Sequence, residues 1–312
     1  MLVLSMFLAA CGGDEAEKDP ATPSDKDDDN GSEDVTEVDE EQVLNLIAAS
    51  EIPTMDSSLV TDSVGFDLLM DVAEGLYRLN QENVPVPAMA EGEPTISEDG
   101  LVYTFKIRDA KWSNGDAVTA GDFEFAWKRA MNPDTASEYG PYMMAGVLKN
   151  ATEISEGSVD FNELGVKALD EKTLEVTLEK PVPYFLSLMA FGTYLPLNEK
   201  FVTEQGDAYA TNSDALISNG PFTLTEWDGT GSSWSLVKND QYWDAENVKL
   251  TQINYDVVKE TATAVNLYKT GEVDRTGLSG EFAAQYANDP ELLKEKDSVV
   301  YYLKIKKKCN GN

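Results

Sequence analysis

The chain contains no histidine in its 312 residues. That absence removes Ser-His-Asp and Cys-His nucleophilic catalysis, His-ligated zinc and the HExxH metalloprotease arrangement. Cysteine is nearly absent too: Cys11 and Cys309 are the only two, too few for a disulfide framework. Basic residues are scarce, with 24 Lys and Arg against 57 Asp and Glu and a net charge of −33. Such a balance opposes nucleic acid, whose binding depends on neutralising phosphates with cationic side chains. It also disfavours docking on anionic lipid through a basic patch. No run of about 20 apolar residues follows position 11, so no downstream segment is expected to span a bilayer.

What is present is enough to build a core. Hydrophobic residues make up 42% of the chain, and the length suits about two domains. Much of the charge is concentrated between Asp14 and Glu41, which hold 14 acidic residues and only Lys18 and Lys26 as bases. This stretch has too little apolar surface to offset chain entropy and reads as a self-repelling, disordered tether. Within it, Asp25 to Gly31 is loosely like a calcium loop, but the later glutamate and flanking helices of such a site are missing. No metal and no cofactor are implied.

The chain starts with a short apolar run ending in Leu8-Ala9-Ala10-Cys11, before Gly12-Gly13 and the acidic tract. This resembles the lipobox of bacterial lipoproteins, which implies lipidation of Cys11, a leader over 1–10, a tether over 11–41, and a place on the extracytoplasmic face of the cell membrane. The run is short and no Lys or Arg precedes it, which points to a start further upstream.

Beyond the tether, strands and helices interleave without repeats. Gln42 to Ser50 reads as a strand. Val64 to Arg78 carries Phe66, Leu69, Met70, Val72, Ala73 and Leu76 near helical spacing, and predicts a helix ending near Gly75. Leu101 to Arg108 alternates as a strand after the Asp99-Gly100 turn, and Ser113 to Asp116 is a second tight turn. Thr119 caps a helix with Asp122 at the capping-box position, Phe123, Trp127 and Met131 on one face, and Asn132-Pro133 as its stop. Lys172 to Leu178 is a strand. Pro181-Val182-Pro183 opens a short helix with Phe185, Leu188 and Met189. Lys249 to Val258 is another strand, and Glu260 to Lys269 a helix capped by Gly271.

Several of these stretches, in order, resemble the family 5 extracellular solute-binding proteins of bacterial ABC importers, the oligopeptide-binding group in particular. They are Glu51 to Ser57, Ala73-Glu74-Gly75-Leu76-Tyr77, Ser97 to Arg108, Lys111 to Asp116, Val118 to Phe123 and Trp127-Lys128-Arg129. Ser218-Asn219-Gly220-Pro221-Phe222, Tyr242-Trp243-Asp244 and Asn266 to Asp274 continue the series. The likeness spans about 42–303, and the ordered set rather than any one piece makes it specific.

The resemblance implies an α/β, periplasmic-binding-protein-like fold (type II, cluster C) with mixed sheets. A first lobe would take 42–73 and 196–297, a second 74–195, and the start of a third 298–312. It implies capture rather than catalysis. An oligopeptide would be held by main-chain hydrogen bonds and delivered by a lipid-anchored monomer to permease and ATPase subunits. Thr61, Asp62 and Ser63 then fall where relatives offer backbone groups to the ligand. Tyr139 and Tyr142 match a segment that places tyrosine at the cleft, and Asn219 and Gly220 a lobe-crossing turn that shapes it. Trp112, Trp127 and Trp243 match framework positions and are expected in the core.

The chain departs from the family at its end. Tyr301 to Ile305 resembles the strand entering the third lobe, but the text then turns to Lys306-Lys307-Lys308-Cys309-Asn310-Gly311-Asn312. The expectation is a fragment, with the third lobe largely missing, an exposed apolar cleft face and impaired binding. Other readings are a receptor for a dipeptide, a peptide pheromone or another small solute, and a structural or adhesion lipoprotein. A nickel complex is disfavoured without histidine. A two-carboxylate glycosidase has no sequence signal that picks out the pair.

Overall fold

A computed structural model describes residues 42–294. The expected leader, the tether with Cys11, and 298–312 with Cys309 lie outside the described residues.

In chain order the strands are β1 Val43–Ala48, β2 Tyr77–Leu79, β3 Pro85–Pro87, β4 Thr95–Ile96, β5 Val102–Lys106, β6 Val166–Asp170, β7 Thr173–Thr177, β8 Phe222–Thr225, β9 Ser233–Lys238 and β10 Gln252–Val257. The α-helices are α1 Ser63–Val72, α2 Ala120–Met131, α3 Tyr139–Met144, α4 Ala151–Ser155, α5 Phe185–Leu188, α6 Glu199–Gln205, α7 Thr261–Thr270 and α8 Gly280–Gln285. They build two four-stranded sheets and a β2-β3 hairpin among the described residues.

One sheet runs β1-β10-β9-β8, with β1 parallel to β10 and the other pairs antiparallel. The outer edge of β1 is met by the end of the Asn266–Asp274 motif. Asn45 donates its N–H to the Asp274 carboxylate at 2.7 Å, and the Asp274 N–H returns to the Asn45 carbonyl at 2.8 Å. The other sheet, β4-β5-β7-β6, is antiparallel throughout. Its alternation is the one the sequence shows: Tyr103 and Phe105 of β5 turn inward opposite Val176 and Leu174 of β7.

Two apolar cores follow the two sheets. One gathers Ile52, Met55, Leu68, Leu69 and Val72 with Trp227, Trp234, Leu236 and Ile253. The other takes Leu76, Phe105, Phe123, Trp127, Leu174, Phe185 and Tyr194. The chain passes from the first core to the second between Val72 and Leu76, and the two meet again around Leu195 and Leu197. Helix α2 covers the second core with Ala120, Phe123, Ala126, Trp127, Ala130 and Met131, and the Trp127 indole donates to the Tyr194 carbonyl at 2.9 Å. Its start forms as the sequence predicts, with Asp122 accepting the Thr119 N–H at 2.8 Å.

Helix α1 is shorter than its apolar spacing predicts. It ends at Val72; Ala73 is already extended, and Tyr77 to Leu79 pair with Pro87 to Pro85. At Gly75 a Cβ would stand 2.6 Å from the Met189 carbonyl oxygen, so the chain leaves the helix by a path closed to a side chain. The N-terminus of α1 is capped by Asp62, whose carboxylate accepts the Gly65 N–H at 2.9 Å. Asp62→Ala is expected to destabilise the fold by about 1 kcal/mol, read from the urea midpoint, with the exposed neighbour Thr61→Ala as the near-neutral control.

Candidate functional site

Helix α1 is the axis on which the sequence-predicted site residues are arranged. Thr61, Asp62 and Ser63 sit at its start, with Thr61 and Ser63 exposed and Asp62 engaged as the cap. One turn on, Phe66 meets Tyr139 of α3 edge-to-face at 5.2 Å and Phe191 at 4.9 Å. Tyr139 stacks on Phe191 at 5.7 Å and meets Tyr142 at 5.8 Å. These four rings form a continuous aromatic wall. Three of them are half-buried, whereas Tyr142 is 79% exposed. Gly192 makes the wall possible, because a Cβ there would stand 2.6 Å from the Phe66 ring.

An ion pair joins the turn before α1 to the end of α2. Arg129, in the last turn of α2, forks onto Asp56 with hydrogen bonds of 2.8 and 2.6 Å. The side chains are 21% and 5% exposed. Burial works against the Arg129 charge, but the hydrogen bonds and charge of Asp56 outweigh it and hold the guanidinium above its ordinary pKa.

Asn219 and Gly220 lie at the other end of α1. The Gly220 N–H donates to the Val72 carbonyl at 3.0 Å, and a Cβ on Gly220 would fall 2.6 Å from the Ala73 nitrogen. Asn219 is buried. Its amide oxygen accepts the Glu74 N–H at 3.0 Å and its amide nitrogen donates to the Glu74 carbonyl at 2.9 Å. That exchange, two residues past the last helical residue, is what stops α1. The Glu74 carboxylate in turn takes the Tyr242 hydroxyl at 2.7 Å, the Trp243 indole N–H and Arg78 at 3.3 Å. Arg108 lies 3.5 Å over the Trp243 ring. Three sequence motifs, around Glu74, Asn219 and Tyr242-Trp243, thus converge on one buried polar knot.

The knot corrects one expectation and refines another. Trp112 and Trp127 are core residues as expected. Trp243 is only half-buried; it flanks the core while its indole serves Glu74 and its face serves Arg108. Asn219-Gly220 and Thr61–Ser63 lie at opposite ends of α1, whose ten residues separate them by about 15 Å.

Buried carboxyls in this region titrate high. Burial pushes Glu74 up, and its hydrogen bonds from Trp243 and Tyr242 and the charges of Arg78 and Arg108 offset this only in part. Burial raises Asp71 to about 6, aided by Asp67, and raises Asp122 to about 6 against the hydrogen bonds it accepts. A carboxyl whose folded pKa lies above its unfolded value of 3.8 favours folding when protonated. Its contribution is complete below 3.8 and is lost as pH rises through about 6. Asp122→Asn, neutral at every pH and still able to accept the Thr119 N–H, is therefore expected to gain stability over the parent at pH 7, and the gain should shrink towards pH 4. An unchanging difference across urea melts at these pH values would refute the titration.

Sequence reasoning missed Phe66 and Phe191 as parts of the wall and the pairing of Asp56 with Arg129. The signal present was the Phe191-Gly192 step; nothing along the chain singles out Asp56 and Arg129, which stand among other charged and polar residues such as Glu51 and Lys128.

The family model for "Bacterial extracellular solute-binding proteins, family 5 Middle" matches residues 84–310. The oligopeptide-binding protein OppA of Bacillus subtilis is 39% identical over 98% of this chain and 54% of that protein. Among solved structures, Listeria monocytogenes OppA bound to peptide is 51% identical with a TM-score of 0.78, covering 80% of this chain and 49% of that one. The substrate-binding domain of an oligopeptide ABC transporter from Bacillus anthracis is 54% identical with a TM-score of 0.77, covering 81% and 48%. The chain spans about half the length of the curated relatives it matches. The mixed α/β architecture is periplasmic-binding-protein-like, and the family is one of binding proteins rather than enzymes. On the matched length, the shared fold and the identities, the chain belongs to family 5 of the bacterial extracellular solute-binding proteins.

Proposed function

We propose that this chain is the capture component of a peptide importer driven by an ATP-binding cassette. It holds an oligopeptide outside the membrane and presents it to a permease with its ATPase subunits. Lipid on Cys11 would keep it on the extracytoplasmic face, with 11–41 as spacer. The two sheets and their cores are read as the two lobes, one from 42–73 with 196–297 and one from 74–195. The observation that carries the reading is the aromatic wall of Phe66, Tyr139, Tyr142 and Phe191 beside the exposed start of α1, in a chain whose relatives are named for binding oligopeptides.

The chemistry suits a ligand read mainly through its backbone. Main-chain hydrogen bonds give affinity independent of side-chain sequence, and waters satisfy polar side chains at small cost. The wall supplies a flat surface for apolar or aromatic side chains.

Calorimetric titration of the 312-residue chain with peptides of two to eight residues tests this, with thermal melts alongside. Peptide at a hundredfold excess over Kd should add about 2.7 kcal/mol of stability. Tyr142→Ala should weaken binding by about 0.5–1.5 kcal/mol while leaving the unliganded melting point unchanged, because that ring is already exposed. No response to millimolar peptide, from a chain that unfolds cooperatively, overturns the reading for this chain.

A further inference from the structure

We infer that Asp56 and Arg129 are a positioning pair that sets the spacing between the start of α1 and the tyrosines of α3, the two walls of the ligand site proposed above, on which this role rests. The walls come from segments far apart in the chain, and one turn of α2 holds both.

On one side, Arg129 grips the residue that folds the turn into α1. The Asp56 carboxylate also accepts the Ser58 N–H at 3.0 Å, and the Asp56 carbonyl accepts the N–H groups of Leu59 and Val60 at 2.8 and 2.9 Å. Val60 then seats against Gly65 in the first turn of α1, where a Cβ would lie 2.8 Å from its methyl. On the other side, the residue after Arg129 carries α3. A Cβ on Gly140 would stand 2.0 Å from the Ala130 carbonyl oxygen, so the α3 backbone rests directly on the end of α2. Phe66 and Tyr139 meet edge-to-face where the two elements so placed adjoin, at 5.2 Å.

The form of the pair fits a spacer. Two parallel charge-assisted bonds fix orientation as well as distance, which a lysine cannot do. The core face of α2 is carried by the neighbours of Arg129, the buried Trp127, Ala130 and Met131.

The test is Arg129→Lys in the full chain, which keeps the charge and loses the fork. Hydrogen exchange by mass spectrometry should speed up together in 56–66 and in 137–145, with β5 and β7 unchanged. Peptide affinity, measured well below the melting point, should fall about tenfold, because binding must then restore the spacing that the fork holds in the parent. Exchange that changes only in 51–62, with α3 and affinity unaltered, would show a pair that merely pins its own loop and would overturn the inference. Should Arg129→Lys not fold, Asp56→Glu, which keeps both charges but displaces the fork by one methylene, is read in the same way. If the parent chain binds no peptide, the functional reading falls, and the exchange pattern alone still decides whether the pair spaces the walls.

Discussion

Asn219→Ala is expected to destabilise the protein by about 2–5 kcal/mol, although the side chain removed carries no charge. Asn219 is 1% exposed, and both ends of its amide are engaged by the backbone of Glu74. Truncation leaves a buried N–H and a buried C=O without partners, each costing about 1–3 kcal/mol. The knot around Glu74 would also lose its anchor to the chain near 219, because the Glu74 side chain is held by Tyr242, Trp243 and Arg78 while its main chain is held by Asn219. The urea midpoint should drop with little change in slope. Asn219→Asp keeps the acceptor and loses the donor, so it should fall on the destabilised side as well. A loss under about 1 kcal/mol in the alanine variant would mean that water replaces the amide and that the knot does not terminate α1.

Asp56→Ala should be of similar or larger size, about 3–5 kcal/mol, because it strands the Arg129 guanidinium in a largely buried place. Attraction within the pair is not the reason; the uncompensated charge is. The discriminating measurement is therefore the double variant Asp56→Ala with Arg129→Met, which removes both charges and keeps volume on the arginine side. It should recover a large part of the single-variant loss, giving a strongly non-additive cycle. Simple additivity would show that the pair contributes no more than packing. The exposed pair Lys259–Glu51, with side chains 60% and 46% exposed, provides the contrast: Glu51→Ala should leave the urea midpoint close to that of the parent.

The elements that sequence reasoning located best are those whose signal is local. Helix α2 follows from a cap, an apolar face and an Asn-Pro stop, and β5 and β7 from alternation that one buried sheet face enforces. Helix α7 ends at Gly271, in the left-handed region with φ 76°, where the glycine stood in the text. The overrun of α1 has a different cause. Leu76 and Tyr77 continue the helical spacing, but they are buried in the other core, as Asn219 and the β2-β3 hairpin claim the backbone between. Trp243 is expected in the core because a tryptophan is usually packing; its neighbours Glu74 and Arg108 are brought to it from more than a hundred residues away.

The amino-acid sequence by itself determined that this protein has no histidine-based chemistry, carries a strongly acidic charge and folds as interleaved α and β elements. Its ordered motifs pointed to the binding-protein family that the matched length then established. These are properties of composition, short-range periodicity and motif order, which are written along the chain. Only the tertiary structure decided that Thr61–Ser63 join Phe66, Tyr139, Tyr142 and Phe191 at one end of α1, while Asn219 and Gly220 lock the other. It alone paired Asp56 with Arg129 and gathered Glu74, Asn219, Tyr242 and Trp243 into one knot. The physical reason is that a buried carboxylate or amide does not choose its partner by sequence distance. It takes whichever donor or acceptor the packing of two cores delivers, because leaving it unpaired costs more than almost any local preference of the backbone.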